Sequence, residues 1–192
     1  MISFSLKRIK FTVDFSFFAV IAFLCIIDGG KNIISAFSVC LIHETGHLIP
    51  MTISGEKIKS VSICGAGIRI VPYKNPLKPI FTDIAILAGG SFFNFITGFS
   101  VILFSENISL FAAMNIIIGI FNLLPYRNFD GGEIMLILME YYGNEFIRLN
   151  AEKIVFFIGI ITSLMIISAA YSYGIINLTL IFTLIYLNIS ST

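Results

Sequence analysis

The chain of 192 residues is poor in charge: 12% of residues are Asp, Glu, Lys or Arg, about half the share in an ordinary globular domain. So few charges cannot cover a water-soluble surface. There is no excess of one sign either, with 12 basic against 11 acidic residues. That removes the general electrostatic case for nucleic-acid binding, and no nucleic-acid partner is expected. Cysteines are scarce; Cys25, Cys40 and Cys64 lack CxxC spacing, so no disulfide framework is implied and they read as small packing residues. No small-x-small cleavage site follows the first apolar run, no repeat is visible, and there is no low-complexity tail.

What the chain has in abundance is apolar sequence, 57% of residues, with a mean hydropathy of +0.98. Six apolar segments stand out: Phe15–Ile27, Ile33–Ile53, Ile80–Phe104, Ile108–Pro125, Ile154–Ala170 and Ile175–Ile189. At about 20 residues per span they read as six membrane helices, the first and last short and therefore tilted or set where the bilayer thins. The expected fold class is an all-α polytopic membrane protein. Ile2, Phe4 and Leu6, then Ile9, Phe11 and Val13, alternate with polar neighbours, as do Val61, Ile63, Ile68 and Ile70 around Gly65-Ala66-Gly67. Period-two alternation predicts short strands, a small sheet or hairpin on the cytoplasmic face. Arg127 to Lys153 reads as the longest polar connection on that face.

Basic residues between segments fix the orientation. Lys7, Arg8 and Lys10 precede the first; Lys57, Lys59, Arg69, Lys74 and Lys78 follow the second; Arg127, Arg148 and Lys153 follow the fourth; Lys31 alone falls on the other side. By the positive-inside rule both termini are expected in the cytoplasm.

The chain has two histidines, both in His43-Glu44-Thr45-Gly46-His47. On a helix, residues four apart share a face, so the two imidazoles can chelate one metal while Glu44 reaches the water to be activated. The motif lies within the apolar Ile33–Ile53 segment, where each ionisable group costs about 2.5–3.5 kcal/mol on insertion scales. Such a burden is explained if these side chains face one another, a cavity or an ion. Gly46 allows close approach of a helix or substrate backbone. A catalytic zinc needs a third protein ligand. The candidate is Asp130, in Asn122-Leu-Leu-Pro125-Tyr-Arg-Asn-Phe-Asp130-Gly131-Gly132, which Pro125 would release from the preceding helix. Glu133 and Cys40 compete for the role, and Asp-Gly-Gly also reads as an ordinary turn.

These residues resemble a family. His43-Glu44-Thr45-Gly46-His47 fits HExGH, and Asn122-x-x-Pro125-x-x-x-x-Asp130-Gly131 fits the second motif of the site-2 proteases, intramembrane zinc metalloproteases; the layout is similar to the small bacterial sporulation-type members that process a membrane-associated pro-sigma factor. The resemblance implies one zinc per chain held by His43, His47 and Asp130, with Glu44 as general base. Gly90-x-x-x-Asn94 resembles the family's Gly-Pro-x-x-Asn element with Ser91 for proline, and Asn128-Phe129 stands where the family often has Pro-Leu. Asn94, Asn122 and Gly46 are candidate site-lining residues; Asn115 reads as interhelical glue.

The resulting expectation is a single membrane-embedded domain over residues 1–192, ending directly after the sixth segment with no appended regulatory domain. It would sit in a bacterial cell membrane and hydrolyse a peptide bond in or beside a transmembrane segment of a membrane-associated protein, such as a pro-sigma or anti-sigma factor, under the control of a regulatory membrane partner. A metal or proton transporter and an inactive membrane scaffold are the alternatives. A transporter spreads ionisable residues along a path or shows two related halves; here they converge on two motifs.

Overall fold

The computed structural model describes the chain except for residues 1, 7–8, 29–31, 65–66, 74–78, 106–108 and 191–192. It divides into two compact units, Met1–Gly119 and Ile120–Thr192. The turn expected at Gly65-Ala66, and Lys7, Arg8, Lys31, Lys74 and Lys78, lie outside the described residues.

The first unit opens with two strands, β1 (Ile2–Leu6) and β2 (Ile9–Val13), followed by helices α1 (Phe15–Asp28) and α2 (Ile33–Ile53), strands β3 (Ile58–Cys64) and β4 (Gly67–Pro72), and helix α3 (Ile80–Phe104). The strands form one sheet in the order β1-β2-β3-β4. The outer pairs are antiparallel, and β2 runs parallel to β3 with Phe11 opposite Val61 and Val13 opposite Ile63. Parallel neighbours need a long crossover, which α1 and α2 supply. Phe4 stands opposite Phe11, their rings stacked at 5.3 Å. The hairpin expected from alternation is thus half of a four-stranded sheet that ties the N-terminal strands to the segment leaving α2.

Helix α3 packs along α2 more extensively than any other helix pair. Three small residues make that possible. A Cβ on Gly46 would collide with the backbone of Gly89 and Gly90, and a Cβ on Gly89 with the carbonyl of Gly46. Pro50, inside α2, has no N–H to offer that carbonyl, which therefore sits against α3 at backbone distance. Helix α4 (Leu110–Asn122) begins in this unit and lies against α3, with Gly98 under Ala112, Asn115 and Ile116, and Phe95 over Gly119.

The second unit holds α5 (Asp130–Tyr142), α6 (Glu145–Ser172) and α7 (Leu178–Ile189). The expected fourth segment stops at Asn122 rather than Pro125, because the residue before a proline is driven out of helical conformation; Leu123 and Leu124 close the end with bonds to Ile120 and Phe121. The connection read as polar from Arg127 to Lys153 is mostly helical. Asp130 and Glu133 sit in the first turn of α5, where acidic groups complement the helix dipole, and α6 starts at Glu145, nine residues before its apolar stretch. Asn144 caps it by accepting from the Ile147 N–H at 2.9 Å. Leu136 of α5 packs with Ala151 and Val155 of α6. Hydropathy located the apolar length of α6 and missed this amphipathic first turn.

Each of the six apolar segments carries a helix. Among the described residues, three are long and apolar enough to cross a membrane: α2, α3 and α6. Helices α4 and α7, at 13 and 12 residues, reach about 18–20 Å, short of a hydrocarbon core of about 30 Å.

Candidate metal centre

In the first unit, the face of α2 that carries Val39, His43 and Gly46 is buried, and it turns both histidines toward α3. Gly90 lies directly beneath them: a Cβ there would stand 2.6 Å from Cε1 of His43 and from Cε1 and Nε2 of His47. The rings meet edge to face with centroids 4.7 Å apart.

The hydrogen bonds set the tautomers. His47 Nδ1 is 2.7 Å from the carbonyl oxygen of Ile86; a carbonyl only accepts, so Nδ1 carries the proton and Nε2 the lone pair. His43 Nδ1 is 3.1 Å from Oδ1 of Asn94. The orientation of the Asn94 amide follows from its other side, where Nδ2 donates to Oδ1 of Asn115 at 3.2 Å and to the Val39 carbonyl at 3.4 Å. Asn115 in turn donates from Nδ2 to the Phe111 carbonyl at 2.9 Å. A relay therefore runs from the α4 backbone through Asn115 and Asn94 to His43, and it too puts the proton on Nδ1. Both asparagines are fully buried, where a side-chain network of this kind is held tightly.

The two Nε2 atoms are 3.1 Å apart. Two acceptor nitrogens held that close repel each other unless they share a cation. The donor chemistry, two neutral imidazoles each with its second nitrogen tied to an oxygen acceptor, is that of a transition-metal site with its outer shell already built. Two imidazoles prepared in this way fit zinc.

Glu44 is half-buried on α2, next to His43. Thr45 returns its hydroxyl to the Leu41 carbonyl at 2.7 Å, which satisfies it inside the apolar helix. Cys40, a free thiol, lies one turn before His43. Ser91, where the family pattern has proline, is buried in an uninterrupted α3.

In the second unit Asp130 opens α5, eight positions after Asn122 closes α4. The glycines after it are not a loose turn. A Cβ on Gly131 would collide with the Leu123 carbonyl, and one on Gly132 with the Tyr126 carbonyl, so residues 123–126 fold directly over the first turn of α5. Phe129 seals the fold, 4.8 Å from the ring of Phe121 and 5.7 Å from that of Tyr126. Glu133 lies one turn further along α5.

The chain matches the family model described as Peptidase family M50 over residues 103–166. That stretch holds α4, the Asn122-to-Asp130 motif, α5 and much of α6, and excludes the histidine motif. Over the whole chain, the structure is similar to that of the site-2 protease from Methanocaldococcus jannaschii, with a TM-score of 0.67, 24% sequence identity, and 99% of this chain and 93% of that one covered. This is the site-2 protease fold. No curated protein matches the sequence. The resemblance to the site-2 protease family therefore stands on fold along nearly the entire chain and on sequence across residues 103–166.

Within the site-2 protease fold, two groups that help to hold His43 and His47, one through Asn94 and one directly, were poorly visible in sequence. Asn115 was legible as helix glue, which it is, but not as the second link to His43. The Ile86 carbonyl is backbone and leaves no side-chain signal. Gly90 appeared within an Asn-bearing element, while its role beneath both rings needed the packing. Gly90→Ala should accordingly force the two rings apart. A displacement on the order of 1 Å can cost ~10²-fold in activity, and a chelator competition should show weakened zinc binding in parallel; unchanged affinity would contradict the close contact.

Proposed function

We propose that the chain is an intramembrane zinc metalloprotease that cleaves a membrane-associated protein in or beside a transmembrane segment. The observation that carries this reading is the pair of Nδ1-protonated imidazoles whose Nε2 atoms converge to 3.1 Å. The HExGH order places Glu44 beside them, and the M50 match covers the Asp130 motif. Asp130, from the motif after α4, is the proposed third ligand beside His43 and His47, with one zinc per chain. Two neutral nitrogens and one carboxylate form a common catalytic ligand set that keeps a fourth position open.

When bound, zinc supplies Lewis acidity toward the scissile carbonyl and lowers the pKa of water toward 7. Glu44 accepts the proton of the attacking water and returns it to the leaving amine. Asn94 holds the His43 ring in one tautomer, and the Ile86 carbonyl does the same for His47. Gly90 and the Gly46–Gly89 contact keep both rings against α3. Gly46, a candidate for contact with substrate from the sequence, is instead taken up by the approach of α3. That leaves Asn122 as the proposed neighbour of the reacting segment, a segment that must leave its helical form for its carbonyls to be attacked.

The six apolar helices span a bacterial cell membrane with both termini in the cytoplasm, the orientation that eleven of the twelve basic residues mark. The shorter helices cross where the membrane thins or tilt with the packing. A pro-sigma or anti-sigma factor with a single span is the proposed substrate, presented with a regulatory membrane partner.

Co-expression with single-span candidates, combined with zinc-flux measurements in vesicles, tests the reading. Site-specific cleavage without zinc transport is expected. Zinc flux without cleavage would instead make the chain a transporter.

A further inference from the structure

The loop that delivers Asp130 is held from an unexpected direction. Three consecutive residues, Tyr126, Arg127 and Asn128, each reach α6 or the end of α7. The Tyr126 hydroxyl is 2.6 Å from Oγ of Ser163. Arg127 pairs with Glu152 at 2.7 Å. Asn128 donates from Nδ2 to the Ser190 carbonyl at 2.9 Å and to its hydroxyl at 3.0 Å.

The buried member of this set belongs to a polar knot in which the Ser163 hydroxyl is fully satisfied. Ser163 donates to the Gly159 carbonyl at 2.9 Å, which leaves its two lone pairs to accept. One takes the Tyr126 hydroxyl proton, and the other takes Nδ2 of Asn188 at 2.7 Å. Asn188 also donates to the Leu184 carbonyl at 2.7 Å. Tyr126 is 1% exposed, and its ring packs with Leu184 and Leu187 of α7. Its carbonyl is the atom that excludes a Cβ at Gly132, two residues beyond Asp130. Tyr126 thus connects α7 to the first turn of α5.

For the fold alone, asparagine is a costly choice at 188. Its Oδ1 is buried without a hydrogen-bond partner among the described residues, a desolvation penalty that leucine would avoid. The position instead serves the serine that holds Tyr126.

From this we infer that α7 is a positioning element for Asp130. Asn188, through Ser163 and Tyr126, fixes the loop from which the carboxylate projects, so metal affinity depends on the C-terminal helix. The inference rests on the proposed role of Asp130 as a zinc ligand. It also resolves what the Asn128-Phe129 departure does locally. Asn128 replaces a proline's rigidity with two hydrogen bonds to Ser190, and Phe129 closes the Tyr126–Phe129 turn with a 2.9 Å backbone bond.

The test uses the full chain in detergent, with Asn188→Leu and Tyr126→Phe made alone and in the Asp130→Asn background. Zinc affinity is read by chelator competition, thermal stability by melting, and loop 126–129 by amide hydrogen exchange. Outer-shell partners typically contribute about 10–100-fold in metal affinity. A fall of that size is expected in each single variant, with Asn188→Leu melting no lower than the parent and loop exchange faster. In the Asp130→Asn background neither substitution should weaken zinc further. An equal loss in both backgrounds would make the knot a general structural feature and overturn the inference. So would unchanged loop exchange, whatever zinc does. If Asp130→Asn alone binds zinc as the parent does, the ligand assignment falls, and loop exchange then decides the knot by itself.

Discussion

Replacing Glu44 by glutamine should stop cleavage while leaving zinc in place. Glutamine keeps the size of the side chain and its place beside His43, and it removes the basic oxygen that accepts a proton. General acid–base groups typically contribute 10²–10⁴-fold, so cleavage should fall by at least about 10²-fold. Neither imidazole is touched: the Ile86 carbonyl and the Asn94 relay continue to hold both Nδ1 protons. Zinc content by elemental analysis should equal that of the parent. The combination separates a base from a ligand. Loss of zinc together with activity would place Glu44 in the coordination sphere, and retained cleavage would refute the mechanism.

Asp130→Asn should show the opposite pattern, losing metal first and activity with it. The substitution preserves shape at the start of α5, removes the negative charge and leaves two imidazoles to hold the ion. With Asp130 as the proposed direct ligand, the loss of affinity should exceed the ~10–100-fold that an outer-shell partner costs. Added zinc should recover part of the cleavage. Stability should change little: the Gly131 and Gly132 contacts that lock this turn are backbone contacts and do not involve the carboxylate. Unaltered zinc binding in Asp130→Asn would shift the third ligand to Glu133 or Cys40, which the corresponding Gln and Ser variants would identify.

The comparison of sequence with structure separates two kinds of information. Apolar length located α2 and α3 to the residue, because a predominantly apolar segment bounded by Asn32 and Ser54, or by Pro79 and Ser105, leaves little choice of where a helix starts and stops. Period-two alternation found all four strands, yet gave no hint that β2 and β3 pair in parallel, since that depends on the α1–α2 crossover. The start of α6 and the whole of α5 were obscured by their polar content. Amphipathic helices do not stand out in hydropathy, and Asp-Gly-Gly mimics a flexible turn. Its glycines are instead required by the approach of Leu123 and Tyr126.

At the candidate metal centre, residue types with few alternative uses were legible. Two histidines four apart in an apolar helix announce chemistry because each is costly where it lies, and Asp130 was legible through its motif, Asn122 to Gly131. The groups that hold them were not. The Ile86 carbonyl, Gly90 beneath the rings, and Asn115 two hydrogen bonds from His43 become functional only through packing between helices. Tyr126, Ser163 and Asn188 are separated by 37 and 25 positions along the chain, and each alone is an unremarkable polar residue in an apolar helix or loop.

The most direct test of the account is reconstitution of the purified chain in liposomes with a single-span substrate, measuring zinc per chain and the cut site by mass spectrometry before and after chelation. One zinc per chain is predicted, with a defined cut in or beside the span that disappears on chelation and returns when zinc is restored. Cleavage that persists in the zinc-free chain, or a zinc-loaded chain that never cuts a substrate cleaved in the membranes it came from, would contradict it.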